Sequence, residues 1–316
     1  MRVLLLGFLI SIGPLSFAQE QLVDPEFTPS VVLPAYVQNG PVVGIDATHA
    51  NFHTADGQYR PFAELLQRDG YKVVSLTETF SAENLAAINV LVIANALPKD
   101  FSDPLASAFT DTDVERISQW VKDGGSLLFI ADHSPFGTAN EKLARAFDIT
   151  MGKGWVFDKN RTGSITTQLE FERQNNSLST HSITEGRNPQ ESVNLVRTFT
   201  GQSLLGPVNS TVLLRLPDSA REAPSPAELD SEAEALSGAT GMQYGENSVS
   251  VTGRAQGLAM DYQRGRIVVL GEAGFLSAQL VRYPDGREMR FGMNIPGYDN
   301  QQFALNVMHW LSRLLP

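Results

Sequence analysis

The chain has 316 residues, a formal charge of −11 at pH 7 and no cysteine. The acidic balance argues against nucleic acid and anionic membrane surfaces as partners. The missing cysteine excludes disulfides, thiolate nucleophiles and Cys-ligated zinc, so the fold must rely on its core.

Met1-Arg2 is a short positive start, residues 3–13 form an apolar run, and Ser16-Phe17-Ala18 has the small residues of a cleavage site. Together they read as a signal peptide over residues 1–18, removed before Gln19, which implies an exported protein, periplasmic or secreted. The alternative is an uncleaved anchor. No later segment reaches about 18 apolar residues, so no stable membrane insertion is expected after cleavage. Residues 19–40, proline-rich and without periodicity, read as an extended leader.

Residues 41–316 read as a single α/β domain. A strand at 42–46 precedes an amphipathic helix at 59–69, with Pro61 in its first turn and Gly70 as its stop. A strand at 71–76, a short capped helix at 81–85 and a near-continuous apolar strand at 89–95 follow. Thr110 to Asp113 caps a helix that runs to about Lys122 and presents Ile117, Trp120 and Val121 on one face. A fourth strand at 126–131 leads to a helix at 138–147. Repeated units of this length predict a doubly wound, mostly parallel sheet of flavodoxin-like type. Further β-like pieces fall at 156–171, 193–199 and 210–216. Residues 217–241 form an acidic surface excursion. Strands at 257–262 and 266–271 flank the turn Arg264-Gly265, and a helix with a broad apolar face fills 300–315.

Four of the five histidines lie at strand ends or in loops. The first strand runs into Asp46-Ala47-Thr48-His49-Ala50-Asn51-Phe52-His53, and the fourth into Asp132-His133. Open parallel sheets bind ligands outside the carboxyl ends of their strands. Asp46, His49, His53 and His133 offer the mixed oxygen and nitrogen donors of a divalent metal site, with zinc as the first choice. The alternative is that Asp46 caps the following turn and the histidines pack or hydrogen-bond. Asp132, His133 and Glu272, the last after a third apolar strand, are the candidate catalytic groups, serving as base, ligand or orienting carboxylate. Helix or turn capping is the competing role for both carboxylates. His181 and Arg187, in a polar loop, are candidate substrate contacts, with an ordinary surface loop as the default. His309, inside the last helix, reads as a packed histidine. Trp155, Phe157 and Phe136 read first as core and second as pocket lining.

These segments carry a resemblance. The strand followed by Asp46-x-x-His49-x-Asn51-Phe52-His53 is similar to the start of a family of exported bacterial proteins with a domain of unknown function. That family lies within the class I glutamine amidotransferase-like superfamily, which also holds intraflagellar-transport-associated domains. Ala131-Asp132-His133-Ser134-Pro135-Phe136-Gly137, Gly271-Glu272-Ala273-Gly274-Phe275-Leu276 and the run Phe303 to Leu311 agree with it. The resemblance covers most of residues 41–316 and implies an amidotransferase-like core. The chain departs from amidotransferases at the elbow, where Asp132 and His133 replace the nucleophilic cysteine, so it is not a Cys-dependent glutamine amidotransferase.

Two readings stay open. One is an exported, metal-dependent hydrolase acting on an envelope or extracellular saccharide, peptide or ester, small or polymeric, through metal-activated water. The other is a non-catalytic module that binds a ligand or partner. A serine hydrolase using Ser134 is disfavoured, because the Gly-x-Ser-x-Gly elbow is absent.

Overall fold

The computed structural model describes residues 20–100, 102–158, 160, 167–225, 247–282 and 286–316. The expected signal peptide lies outside the described residues, as does the acidic excursion from residue 226 onward.

The first half alternates strand and helix: β1 (Glu20–Val23), β2 (Val42–Asp46), α1 (Arg60–Arg68), β3 (Lys72–Leu76), α2 (Ala82–Ala86), β4 (Val90–Ala94), α3 (Asp111–Lys122), β5 (Ser126–Ile130) and α4 (Phe136–Arg145). The second half is richer in strands. It holds β6 (Thr150–Met151), β7 (Trp155–Asp158), β8 (Gln168–Glu172), α5 (Ser182–Glu185), β9 (Leu195–Phe199), β10 (Leu204–Leu205) and β11 (Thr211–Arg215). Then come β12 (Ala220–Ala223), β13 (Val249–Ser250), β14 (Ala255–Tyr262), β15 (Gly265–Leu270), β16 (Ala278–Arg282), β17 (Glu288–Gly292) and α6 (Asn300–Leu311).

The main sheet runs β3-β2-β4-β5-β15-β14-β10-β6, with β11 also on β14. Its first five strands are parallel. The strands beyond β15 are antiparallel, so the sheet is mixed rather than a simple doubly wound one. The cause is local. Only two residues separate β14 from β15, and Gln263 in that turn has φ +55°. So short a connection can only make a hairpin. Smaller sheets, β1-β16-β17, β13-β12-β7 and β8-β9, pack around this one.

β4 and β5 are buried at every residue, as continuous apolar sequence between two covered faces requires. Val90, Val92, Leu128 and Ile130 face the core shared with α1 and α6. Leu91, Ile93, Leu127 and Phe129 face the core shared with α2, α3 and α4. The capping boxes anticipated for α2 and α3 are present, Ser81 with Asn84 and Thr110 with Asp113. Gly70, with φ +92°, ends α1 where a Cβ would lie 1.9 Å from the Tyr36 carbonyl oxygen.

The leader is more ordered than its composition suggested. β1 pairs antiparallel with β16, and residues 30–36 are fastened to both ends of the chain's main body. The hub is Asp69, which is fully buried. Its Oδ1 accepts from Ala35 N–H at 2.8 Å, and its Oδ2 lies 2.7 Å from His309 Nε2 in α6. His309 is thus a buried, paired histidine. Asp69→Ala would strand both partners. Urea denaturation is expected to show a loss of about 3 kcal/mol, the usual cost of halving a buried pair, and a loss under about 1 kcal/mol would show the hub to be dispensable.

Candidate functional site

Ala94 lies opposite Ile130, and Ile130 opposite Leu270. Ile45 pairs with Val92 on the other side of β4. The residues that follow β2, β4, β5 and β15 therefore emerge along one edge of the sheet, the edge at which open α/β folds take ligands. His49 and His53, then Asn95, then Asp132 and His133, then Glu272 are delivered there.

Asp46 is fully buried. One oxygen accepts from the Thr48 amide at 2.9 Å and its hydroxyl at 2.7 Å, and the other lies 2.8 Å from His49 Nδ1. His49 Nε2 faces Asp113 Oδ2 at 3.7 Å, and Phe109 and Phe80 pack on the ring. Burial opposes charging His49. The Asp46 hydrogen bond and the charges of Asp46 and Asp113 more than offset this, so its pKa sits above 6.5. Burial likewise pushes Asp113 up, but hydrogen bonds from Thr110 and the charge of His49 bring it below the usual carboxylate value. This trio braces the end of β2 against the start of α3.

His53 is in a different setting. Asn95, at φ +50°, accepts the Asp132 amide on Oδ1 at 2.8 Å. Its Nδ2 must then donate to His53 Nδ1, 3.2 Å away. Burial lowers the His53 pKa to about 3, so the ring is neutral and its proton sits on Nε2, which has no partner. Tyr59 packs on the ring at 4.7 Å and donates its hydroxyl to the Ala273 carbonyl at 2.9 Å. Glu272 accepts from Gly274 N–H at 2.5 Å and Phe275 N–H at 2.9 Å. Asp132 accepts from His133 N–H at 2.7 Å and Ala273 N–H at 3.4 Å. Burial first, and then the nearby Asp132, hold the Glu272 pKa well above the carboxylate range. Burial and the same two carboxylates raise that of Tyr59.

His133 is the accessible member, its side chain 36% exposed. Its Nδ1 donates to the Ser134 carbonyl oxygen at 2.9 Å, and its Nε2 lies 3.9 Å from Asp132 Oδ1. The ring stacks on Trp155 with centroids 5.4 Å apart and planes at 22°. Phe136 adjoins it, and Phe52, 53% exposed, follows Phe136. An aromatic rim thus stands over a polar floor.

Two candidates lie elsewhere. His181 caps α5 by accepting from Ile183 N–H at 3.1 Å and packs on Trp310. The charges acting on it are Arg266, Asp261 and Glu185. Arg266 begins β15 and Glu272 follows its end, a span of about 20 Å at strand rise. Arg187 clamps Glu191, with Nε 2.8 Å from Oε1, and donates to the Leu33 carbonyl at 2.8 Å. Its role here is to tie down the leader, and it does not reach the strand-end edge.

Among the described residues no three His, Asp or Glu side chains converge as a metal site requires. Asp46, His49, His53 and His133 therefore do not form the donor set their sequence positions suggested. His49 is enclosed by two carboxylates, and Asn95 occupies His53 Nδ1. Asn95, Tyr59 and Asp113 are the site residues the sequence reading passed over. An asparagine directly after an apolar strand was the signal for Asn95. Asp113 was visible only as a cap.

The model of a family described as a domain of unknown function, DUF4350, matches residues 51–292. No curated protein matches the sequence. Among solved structures, the chain is similar to the mmIFT52 N-terminal domain, with a TM-score of 0.57 at 12% identity over 86% of this chain and 97% of that one. A cytoplasmic protein of Salmonella typhimurium LT2, STM1381, scores 0.44 at 14% identity over 86% and 97%. A protein described as ThuA-like from Parabacteroides merdae scores 0.44 at 14% identity over 87% and 90%. At these identities only the fold is shared knowledge, and it is the first likeness that carries it.

His49 and His53 bear on stability with opposite signs. The pKa of His53 falls from 6.5 to about 3 on folding, so the unfolded chain binds more protons in that interval and stability drops as pH falls. The pKa of His49 is raised, so its contribution is complete below 6.5 and is lost as pH rises through the folded value. In urea denaturation, His53→Gln should flatten the acid limb between about pH 5 and 6.5, above the carboxylate range, by up to about 1.4 kcal/mol per unit. His49→Gln should flatten the alkaline limb. Unchanged limbs in both variants would refute the assignment.

Proposed function

The chain belongs to the DUF4350 family, and on that premise we propose that it is an exported protein of amidotransferase-like fold that binds a neutral, ring-bearing ligand at the carboxyl edge of its sheet. The supporting observation is the division of labour at that edge. Asp46, Asp132 and Glu272 spend their oxygens on neighbouring amides or on His49, and what remains open is the aromatic rim with His133 Nε2. The charges bearing on Tyr59 are Glu272 and Asp132, and the one bearing on Glu272 is Asp132. The Asp132 carboxylate, whose charge bears on both Tyr59 and Glu272, disfavours carboxylate and phosphate groups. Aromatic faces beside hydrogen-bonding groups suit a ring that carries hydroxyls. Among saccharides, peptides and esters, a neutral saccharide fits this combination best.

A hydrolytic reading is favoured by one observation: the His133 side chain is accessible, and its Nε2 lies 3.9 Å from Asp132 Oδ1. There His133 would take a proton from water attacking the bound ligand and, as the imidazolium, give it to the leaving oxygen as the bond to that oxygen breaks. With no cysteine in the chain, a thiolate has no part in it.

Trp155 supplies the test. Neutral mono- and disaccharides should perturb its fluorescence while glucuronate should not, and Trp155→Ala should weaken binding about 10-fold, the equivalent of a stacking loss of about 1.4 kcal/mol. If His133→Ala abolishes release of reducing ends but spares binding, the hydrolytic reading holds. If no saccharide is turned over by the native protein, binding alone stands. Export is checked separately: the mature protein recovered from the cell envelope or medium should have a mass that begins at Gln19, and a full-length mass would remove the localisation.

A further inference from the structure

His53 is 3% exposed, yet one of its two ring nitrogens is spoken for and the other is not. Asn95 dictates which. Its oxygen is committed to the Asp132 amide, so its amino group faces His53 and the imidazole proton is confined to Nε2. A buried donor left unpaired is costly, by about 1–3 kcal/mol, and natural folds keep such groups where a ligand or bound water satisfies them. The ring lies between Phe52 of the open rim and Tyr59 of the floor. A second buried polar atom without a partner, Gln58 Oε1, sits on the same loop. His53 and Gln58 thus offer one donor and one acceptor from a single loop.

Resting on the binding reading above, we propose that His53 is a specificity-determining residue: its Nε2–H takes an uncharged acceptor oxygen of the ligand, a hydroxyl or carbonyl oxygen, and selects against analogues that lack it. The logic is that of a site built around a buried donor. An analogue without the oxygen leaves the N–H dry, which is penalised far more than the loss of one apolar contact. A cation is refused, because a ring that stays neutral can offer it only a proton-bearing face. An anion is disfavoured by the Asp132 carboxylate, whose charge bears on Tyr59 and Glu272. The inference also replaces the metal-ligand role that the spacing of His49 and His53 suggested, since the proton on Nε2 and the Asn95 contact on Nδ1 leave no lone pair free.

The experiment uses the full mature chain labelled with nitrogen-15 at histidine. Long-range nitrogen–proton correlation reads the tautomer of His53, assigned by its disappearance in His53→Phe. The probes are glucose, galactose, mannose, N-acetylglucosamine and cellobiose, with glucuronate as the anionic control. The expected result is the Nε2–H tautomer in the free protein, and a shift of that proton with the same probe that perturbs Trp155. His53→Phe should weaken that probe roughly 10- to 100-fold, and His53→Gln, which restores a neutral donor, should recover most of the affinity. An Nδ1–H tautomer overturns the proposal without any ligand. A probe that perturbs Trp155, leaves the His53 proton unmoved and binds His53→Phe unchanged overturns it while the binding site stands. Silence of Trp155 toward every probe removes the binding reading and the inference together.

Discussion

The carboxyl edge of the sheet depends on one side-chain amide. Asn95 leaves β4 in a left-handed conformation and joins three segments. Its backbone N–H donates to Ile130 and its carbonyl accepts from Phe52. Its side chain reaches Asp132 on one side and His53 on the other. The loop after β2 and the elbow after β5 are thereby held in fixed relation to the strand between them. Asn suits the position because it tolerates positive φ and carries both a donor and an acceptor on a short arm. A carboxylate there would have no donor for His53, and an apolar residue would leave the Asp132 amide unpaired.

The elements that depend on local pattern were legible before the structure was known. The apolar runs of β4 and β5, the capping residues of α2 and α3 and the stop at Gly70 are short-range signals, and each coincides with an observed element. What could not be read was pairing partner and direction. The turn at Arg264-Gly265 was read, but the further partners of β14, β10 and β11, were not, and β1 is a strand only because β16 offers it an edge. The site divides along the same line. That Asp46, His49, His53, Asp132, His133 and Glu272 end up on one edge follows from strand ends, a local property. Which atoms they spend on one another does not. His49 and His53 share a motif and differ in every physical respect, one clasped by two carboxylates and charged more readily, the other dry and neutral. His181 and Arg187 show the converse. Polar loops look alike in sequence whether they lie at the carboxyl or the amino edge of a sheet.

The chemistry of the edge is shaped by how completely its carboxylates are occupied. Glu272 serves the turn after β15, Asp132 serves the elbow and receives Ala273, and Asp46 serves its own loop. Such groups set the geometry and the electrostatic sign of the floor. The accessible imidazole of this edge is that of His133, which leans on Trp155.

The fastening of the leader has a kinetic meaning. Ser30 exchanges hydrogen bonds with Gln301 across 271 residues of chain. Tyr36 meets Ser312, and Asp69 joins Ala35 to His309. Closing loops of that length carries a large entropic cost that is recovered only when both ends are in place. As the polypeptide grows, its earliest segment must wait for its latest, and docking of the leader becomes the step that reports completion of α6. A chain interrupted before Asn300 would lose the Ser30–Gln301 and Tyr36–Ser312 contacts and the His309 half of the Asp69 hub.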